Sequence, residues 1–135
     1  MELKDAAKKM ANIDICMMTT ISPDRQLSSR PMSNNGDVEY DGNSYFFTDE
    51  SANLVADIEK NDQVNLAFEA EDNLFISVSG TAKLIRDKNQ FEEHWNPDIE
   101  EWFAEGVNTP GLVMIHVTAN RIKCWQNEKE DEVKL

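Results

Sequence analysis

Two short stretches of this chain carry residue types that could bind an anion. "LSSRP" sets the guanidinium of Arg30 beside the hydroxyls of Ser28 and Ser29, and "TDES" runs from Thr48 to Ser51 at an expected helix start. A guanidinium offers paired N–H donors to a phosphate or carboxylate, and the first turn of a helix offers unpaired N–H groups and a partial positive charge. Each residue also has an ordinary reading. Ser51 can cap its helix, and Arg30 can pair with any of 26 acidic residues. Other chemistries find less material. His94 and His116 are the only histidines, and both sit in contexts that suit structural roles. Cys16 and Cys124 read as buried free thiols with no partner at zinc or disulfide spacing. No GxSxG, Walker A or GxGxxG run occurs. The pairs Glu92/Glu93 and Glu100/Glu101 read as solvent-facing charge. No catalytic residue and no metal ligand is named.

The elements that must position these residues follow from periodicity and turn chemistry. Leu3, Ala6, Ala7 and Met10 fall at helical spacing within 3–12. Residues 14–22 and the stretch "QLSSRPMS" (26–33) read as two strands of a hairpin over 14–34, with "SPDRQ" supplying the turn. Asn-Gly and Asp-Gly turns flank a short strand at "VEY" (38–40), and 44–49 is a strand rich in aromatics. Residues 50–62 form a helix with Ser51 as its cap and Leu54, Val55 and Ile58 as its apolar stripe. Val64, Leu66 and Phe68 alternate along 63–70, and a long strand over 73–87 is interrupted by Gly80. Asp87 with Gln90 signals one helix start. Asn96 with Pro97, and Gly106 past the end, delimits a second short helix. A last strand or strand pair spans 111–126, and the acidic tail 127–135 is expected to fray. The pattern predicts a mainly β protein, a small β-barrel with a few short helices plugging its ends, and a ligand site at a rim or interface.

Length and charge limit the partners. The 135 residues suit a single domain over 1–135. A formal charge of −13 disfavours nucleic acid and anionic membrane, both of which reward basic surfaces. No apolar run approaches a membrane span, and the N-terminus lacks the apolar segment of a secretory signal, so a cytoplasmic location is expected.

Several segments, in order, resemble the FMN-binding split-barrel proteins related to pyridoxamine 5′-phosphate oxidase. They are "MMTTIS" with "LSSRPMS", "SYFFTDESANLVADIEKNDQVNLAF", "ISVSGTAKLIRD" and "HWNPDIEEWFAEGVNTPGLVMIHVTANRIKCW". The last of these, with Trp95, Pro110 and Trp125, is similar to the bacterial general stress protein branch. The resemblance implies a six-stranded split barrel that forms a homodimer with FMN sites at its interface. It implies that Arg30 approaches the flavin and its phosphate arm, and that Pro31 and Met32 lie against the isoalloxazine edge. Phe47 and Thr48 then end a strand under the flavin, and Ser51 starts the phosphate-side helix. Trp125 arrives from the C-terminal strand, on its own site or across the interface. Phe75, Trp102 and Phe103 are further candidates for the interface or the pocket. Two departures stand out. Asn53 occupies a position where the family usually has a lysine on the phosphate, although its amide can still donate. After Trp125 the chain reads "QNEKEDEVKL", without the substrate-binding arginine and histidine of the true oxidase. Pyridoxamine phosphate oxidation is therefore not expected. The resemblance implies a redox stress protein or flavin reductase working between a nicotinamide donor and a small acceptor. The alternatives are a non-catalytic dimeric module holding FMN, a deazaflavin or haem, and a barrel that has lost its ligand.

Overall fold

Alternation of apolar residues builds nearly all of this molecule, because β-strands supply most of its core. The computed structural model describes residues 1–34 and 39–135. The turn expected at Asn35 and Gly36, and the start of the short strand expected at 38–40, lie outside the described residues. The chain runs α1 (Leu3–Met10), β1 (Ile15–Ile21), β2 (Leu27–Ser33), β3 (Asn43–Asp49), α2 (Asn53–Lys60), β4 (Gln63–Ala70), β5 (Leu74–Ile85), α3 (Lys88–His94), β6 (Leu112–Gln126) and β7 (Lys129–Lys134). Two 3-10 turns, Pro97–Glu101 and Gly106–Asn108, lie between α3 and β6. The sheet is antiparallel in the order β2-β1-β4-β5-β6-β3, with β7 also paired to β6. The mainly β class with a few short helices is as expected.

The core lies on the inward parity of these strands. Met18, Leu66, Val78, Ile115, Ile122 and Phe46 are its most enclosed side chains, and Ala6 and Met10 of α1 and Leu54 and Ile58 of α2 close over it. A smaller cluster of Ile85, Phe91, Leu112 and Met114 forms beside it, under Phe47, Trp95 and Phe103. The interruption at Gly80 is a register shift between β5 and β6. A Cβ at Gly80 would stand 2.2 Å from the carbonyl oxygen of Thr118, so close backbone approach excludes any side chain there.

Three local expectations need correction. The tail does not fray: Asn127 and Glu128 adopt positive φ in a tight turn, and β7 returns along β6. Val133 is buried, while Arg121–Glu132 (2.9 Å) and Lys123–Glu130 (3.2 Å) ion pairs balance the acidic charge that made the segment look loose. Ser51 does not cap α2; Ala52 holds the cap position, because the Ser51 hydroxyl is donated to Asp49. Residues 96–106 make 3-10 turns rather than a helix, although Asn96 does cap the first turn, accepting from the Asp98 amide. Asp87 likewise caps α3, accepting from the Asn89 amide.

Candidate functional site

The two ends of the sheet path, β2 and β3, do not pair with each other. A crevice of about 500 Å³ opens between them. Pro31, Met32 and Ser33 form one wall and Tyr45, Phe47, Thr48 and Asp49 the other; Ile99, Trp102 and Phe103, from the first 3-10 turn and the residues after it, add to the lining, as do Asp14 and Asp98. The volume lies within the range of pockets that hold flat, drug-sized ligands. Its aromatic residues are held by one another. Phe47 meets Trp95 edge-on at 5.0 Å and Phe91 at 5.8 Å, and Trp95 lies 6.3 Å from Phe103. Trp102 is 71 % exposed.

Four of the anticipated site residues, Pro31, Met32, Phe47 and Thr48, come together in this crevice, although β2 and β3 lie at opposite ends of the strand order. The other four lie elsewhere. The guanidinium of Arg30 donates to Thr20 Oγ1 at 2.7 Å, to the Met18 carbonyl at 3.3 Å and to Ser28 Oγ at 3.3 Å. It also lies 3.6 Å from the carboxylate of Asp57, which is buried on α2. Thr20 in turn donates to Asp57 at 2.8 Å. Arg30, Thr20 and Asp57 thus form a polar cluster that largely satisfies itself. Ser51 gives both its hydroxyl and its backbone N–H (2.9 Å) to Asp49, and these bonds hold the Asp49 carboxyl below the usual carboxylate range. Asn53 is the exposed first residue of α2. Trp125 pairs with Phe75 across β6 and β5 on the outward parity of the sheet and does not line the crevice of its own chain.

Sequence reasoning did not anticipate the setting of Tyr45. Its ring is sandwiched between His94 (3.5 Å, 12°) and His116 (4.6 Å, 19°), and His116 Nε2 is hydrogen-bonded to Asn43 Oδ1 at 2.8 Å. Tyr45 also walls a second cavity, about 330 Å³, between α1 and α3. Burial is the main force lowering the His116 pKa, and the charges of His94 and Lys83 act the same way. The cross-strand pairing of Tyr45 with His116 belongs to the β3–β6 register and could be read only once that register was known. His94 arrives on α3, and no local pattern announces it. Among the described residues, no group of three or more His, Cys, Asp or Glu side chains is placed to hold a metal ion, and no helix is long and apolar enough to cross a membrane.

A family model described as "Pyridoxamine 5′-phosphate oxidase like" matches residues 2–135. The chain belongs to that family. Among curated relatives, protein bli-3 of Neurospora crassa is 27 % identical over 127 residues, 90 % of this chain. This chain spans 61 % of that protein's length. Among solved structures, a protein of Clostridium acetobutylicum related to general stress protein 26 superposes with a TM-score of 0.85 at 19 % identity, covering 98 % of this chain and 94 % of that one. The general stress FMN/FAD-binding protein of Xanthomonas citri gives a TM-score of 0.78 at 24 % identity, covering 98 % and 94 %. These likenesses establish the family's split-barrel fold. Here its six-strand path is extended by β7, and the crevice lies at the split.

Proposed function

We propose that the crevice receives the isoalloxazine ring of a flavin, FMN being the form the family resemblance implies, and that the protein is a redox flavoprotein. The carrying observation is the convergence of Pro31, Met32, Phe47 and Thr48, from the two ends of the sheet, on one aromatic-walled crevice. A flat, largely apolar ring fits that lining. Pro31 and Met32 would bear on one edge of it and Phe47 on its plane, while the Thr48 hydroxyl and the Asn96 amide offer hydrogen bonds to its heteroatoms. When bound, the flavin supplies the electron-transfer chemistry, passing reducing equivalents from a nicotinamide donor to a small acceptor. The chain's own residues orient the ring and exclude water.

A homodimer completes the reading. Ile15, Met17, Phe75 and Trp125 are exposed large apolar residues on the outward parity of β1, β5 and β6. Ile15 and Pro31 also rim the crevice, so the apolar strip runs into its open side. A second copy seated there would bury the strip and bring its own Trp125 towards the crevice. We assign this activity to the cytoplasm, a reading supported by the two buried free cysteines.

The test is a titration of the purified protein with flavin, followed by absorbance and by quenching of flavin fluorescence. Binding in the micromolar range is expected. No binding at tens of micromolar flavin overturns the proposal. Reduction of the bound flavin by NADH or NADPH supports the redox role; a bound flavin that neither reduces leaves only a cofactor-holding module.

A further inference from the structure

We propose that the flavin this site selects lacks a phosphate: it takes an isoalloxazine with an uncharged polyol side chain, of the riboflavin type, and a phosphate on that chain adds nothing to affinity. The inference rests on the flavin reading above and refines it. A phosphate dianion leaving water needs cations or free N–H donors to replace its hydration. The nearby cations and the Ser51 donors that could provide them are already engaged. Arg30 carries the cation nearest the crevice on β2, but Asp57 stands 3.6 Å from it, and the pair has no net charge. Asp57 is buried and also bound by Thr20, so moving aside would cost Thr20 its acceptor and Arg30 its counter-ion. The Ser51 hydroxyl and N–H belong to Asp49, which puts a carboxylate where the phosphate would have to approach. Asn53 is neutral. Arg86 is held by both Glu50 and Glu59, so that group carries a net negative charge.

The crevice itself has the same sign. Asp14, Asp49 and Asp98 line it, and among the described residues no lysine or arginine does. The chain's charge of −13 adds repulsion of the same direction at longer range. Carboxylates are hydrogen-bond acceptors only, so they repel phosphate oxygens and welcome hydroxyl donors. A polyol chain brings such donors without charge.

The test is a pair of titrations of the intact protein, with riboflavin and with FMN, at low and at moderate salt. Riboflavin is expected to bind at least as tightly as FMN. FMN affinity should rise with salt as like-charge repulsion is screened, while riboflavin affinity stays level. Asn53→Lys, at an exposed position, should raise FMN affinity by about tenfold and leave riboflavin unchanged. Asp49→Asn should shift the preference in the same direction. FMN binding about tenfold tighter than riboflavin, and weakening as salt rises, would overturn the inference and leave the flavin reading intact. Binding of neither flavin removes the flavin reading and this inference with it.

Discussion

Arg30 and Pro31 are consecutive on β2 and belong to two unlike regions. Arg30 joins Thr20 and Asp57 in a cluster in which the side chains bond one another. Pro31 opens on the crevice, where Trp102 stands exposed with no packing partner over most of its surface. The first region has spent its polar groups on the fold. The second retains apolar surface that only a ligand or another chain can cover. Residue type alone would rank them the other way, since arginine is the more conspicuous ligand-binding residue. What decides is whether the group is already satisfied.

Breaking the cluster should have the largest effect. Asp57→Ala leaves Arg30 without its counter-ion and Thr20 without its acceptor; Asp57 is 6 % and Arg30 20 % exposed. A stability loss of about 3 kcal/mol is expected, at the low end for a broken buried pair because Arg30 keeps some access to water. Denaturant unfolding measures it, and an unchanged midpoint would mean that the cluster does not hold the fold. Next comes the crevice. Trp102→Ala should leave stability within about 0.5 kcal/mol and weaken flavin binding about tenfold. Equal effects on both would erase the distinction between the two regions. A smaller effect is expected from Met17→Glu on the outward face. Light scattering should report a shift from dimer to monomer, with the melting temperature little changed at high protein concentration.

The smallest effect concerns the Tyr45 wall. The His116 pKa is lowered in the fold, so as pH falls the unfolded chain takes up its proton first. The contribution of His116 is therefore complete above its ordinary value of 6.5 and is lost progressively as pH drops below it. Melting temperatures measured from pH 8 to pH 5 should decline through this window, and His116→Gln should flatten the decline. Asp49 and Glu50 have lowered values, so the stability they add is lost only at more acid pH, as each is protonated.

Much of the fold was legible because its causes are local. Val64, Leu66 and Phe68 alternate, Gly80 marks the bulge, and Asp87 and Asn96 cap the turns they precede. Where local signals competed, reading failed. Ser51 resembles a cap, but Asp49, two residues earlier, takes its hydroxyl. The tail is acidic by itself, and Arg121 and Lys123, which pair with its Glu132 and Glu130, lie beside it only once β7 folds back along β6. The crevice was half legible: the resemblance named Pro31, Met32, Phe47 and Thr48, but neither it nor any local pattern reached Tyr45 with its two histidines.

By itself, then, the sequence determined the strand and helix inventory and the stock of residue types, since a few consecutive residues set hydrophobic period and turn chemistry. The partner of Arg30 was decided only in three dimensions. With 26 acidic residues available, the choice fell to Asp57 because α2 packs over β1 and brings that carboxylate to Thr20. An ion pair depends on distance through space, and nothing in the order of residues along the chain encodes that distance.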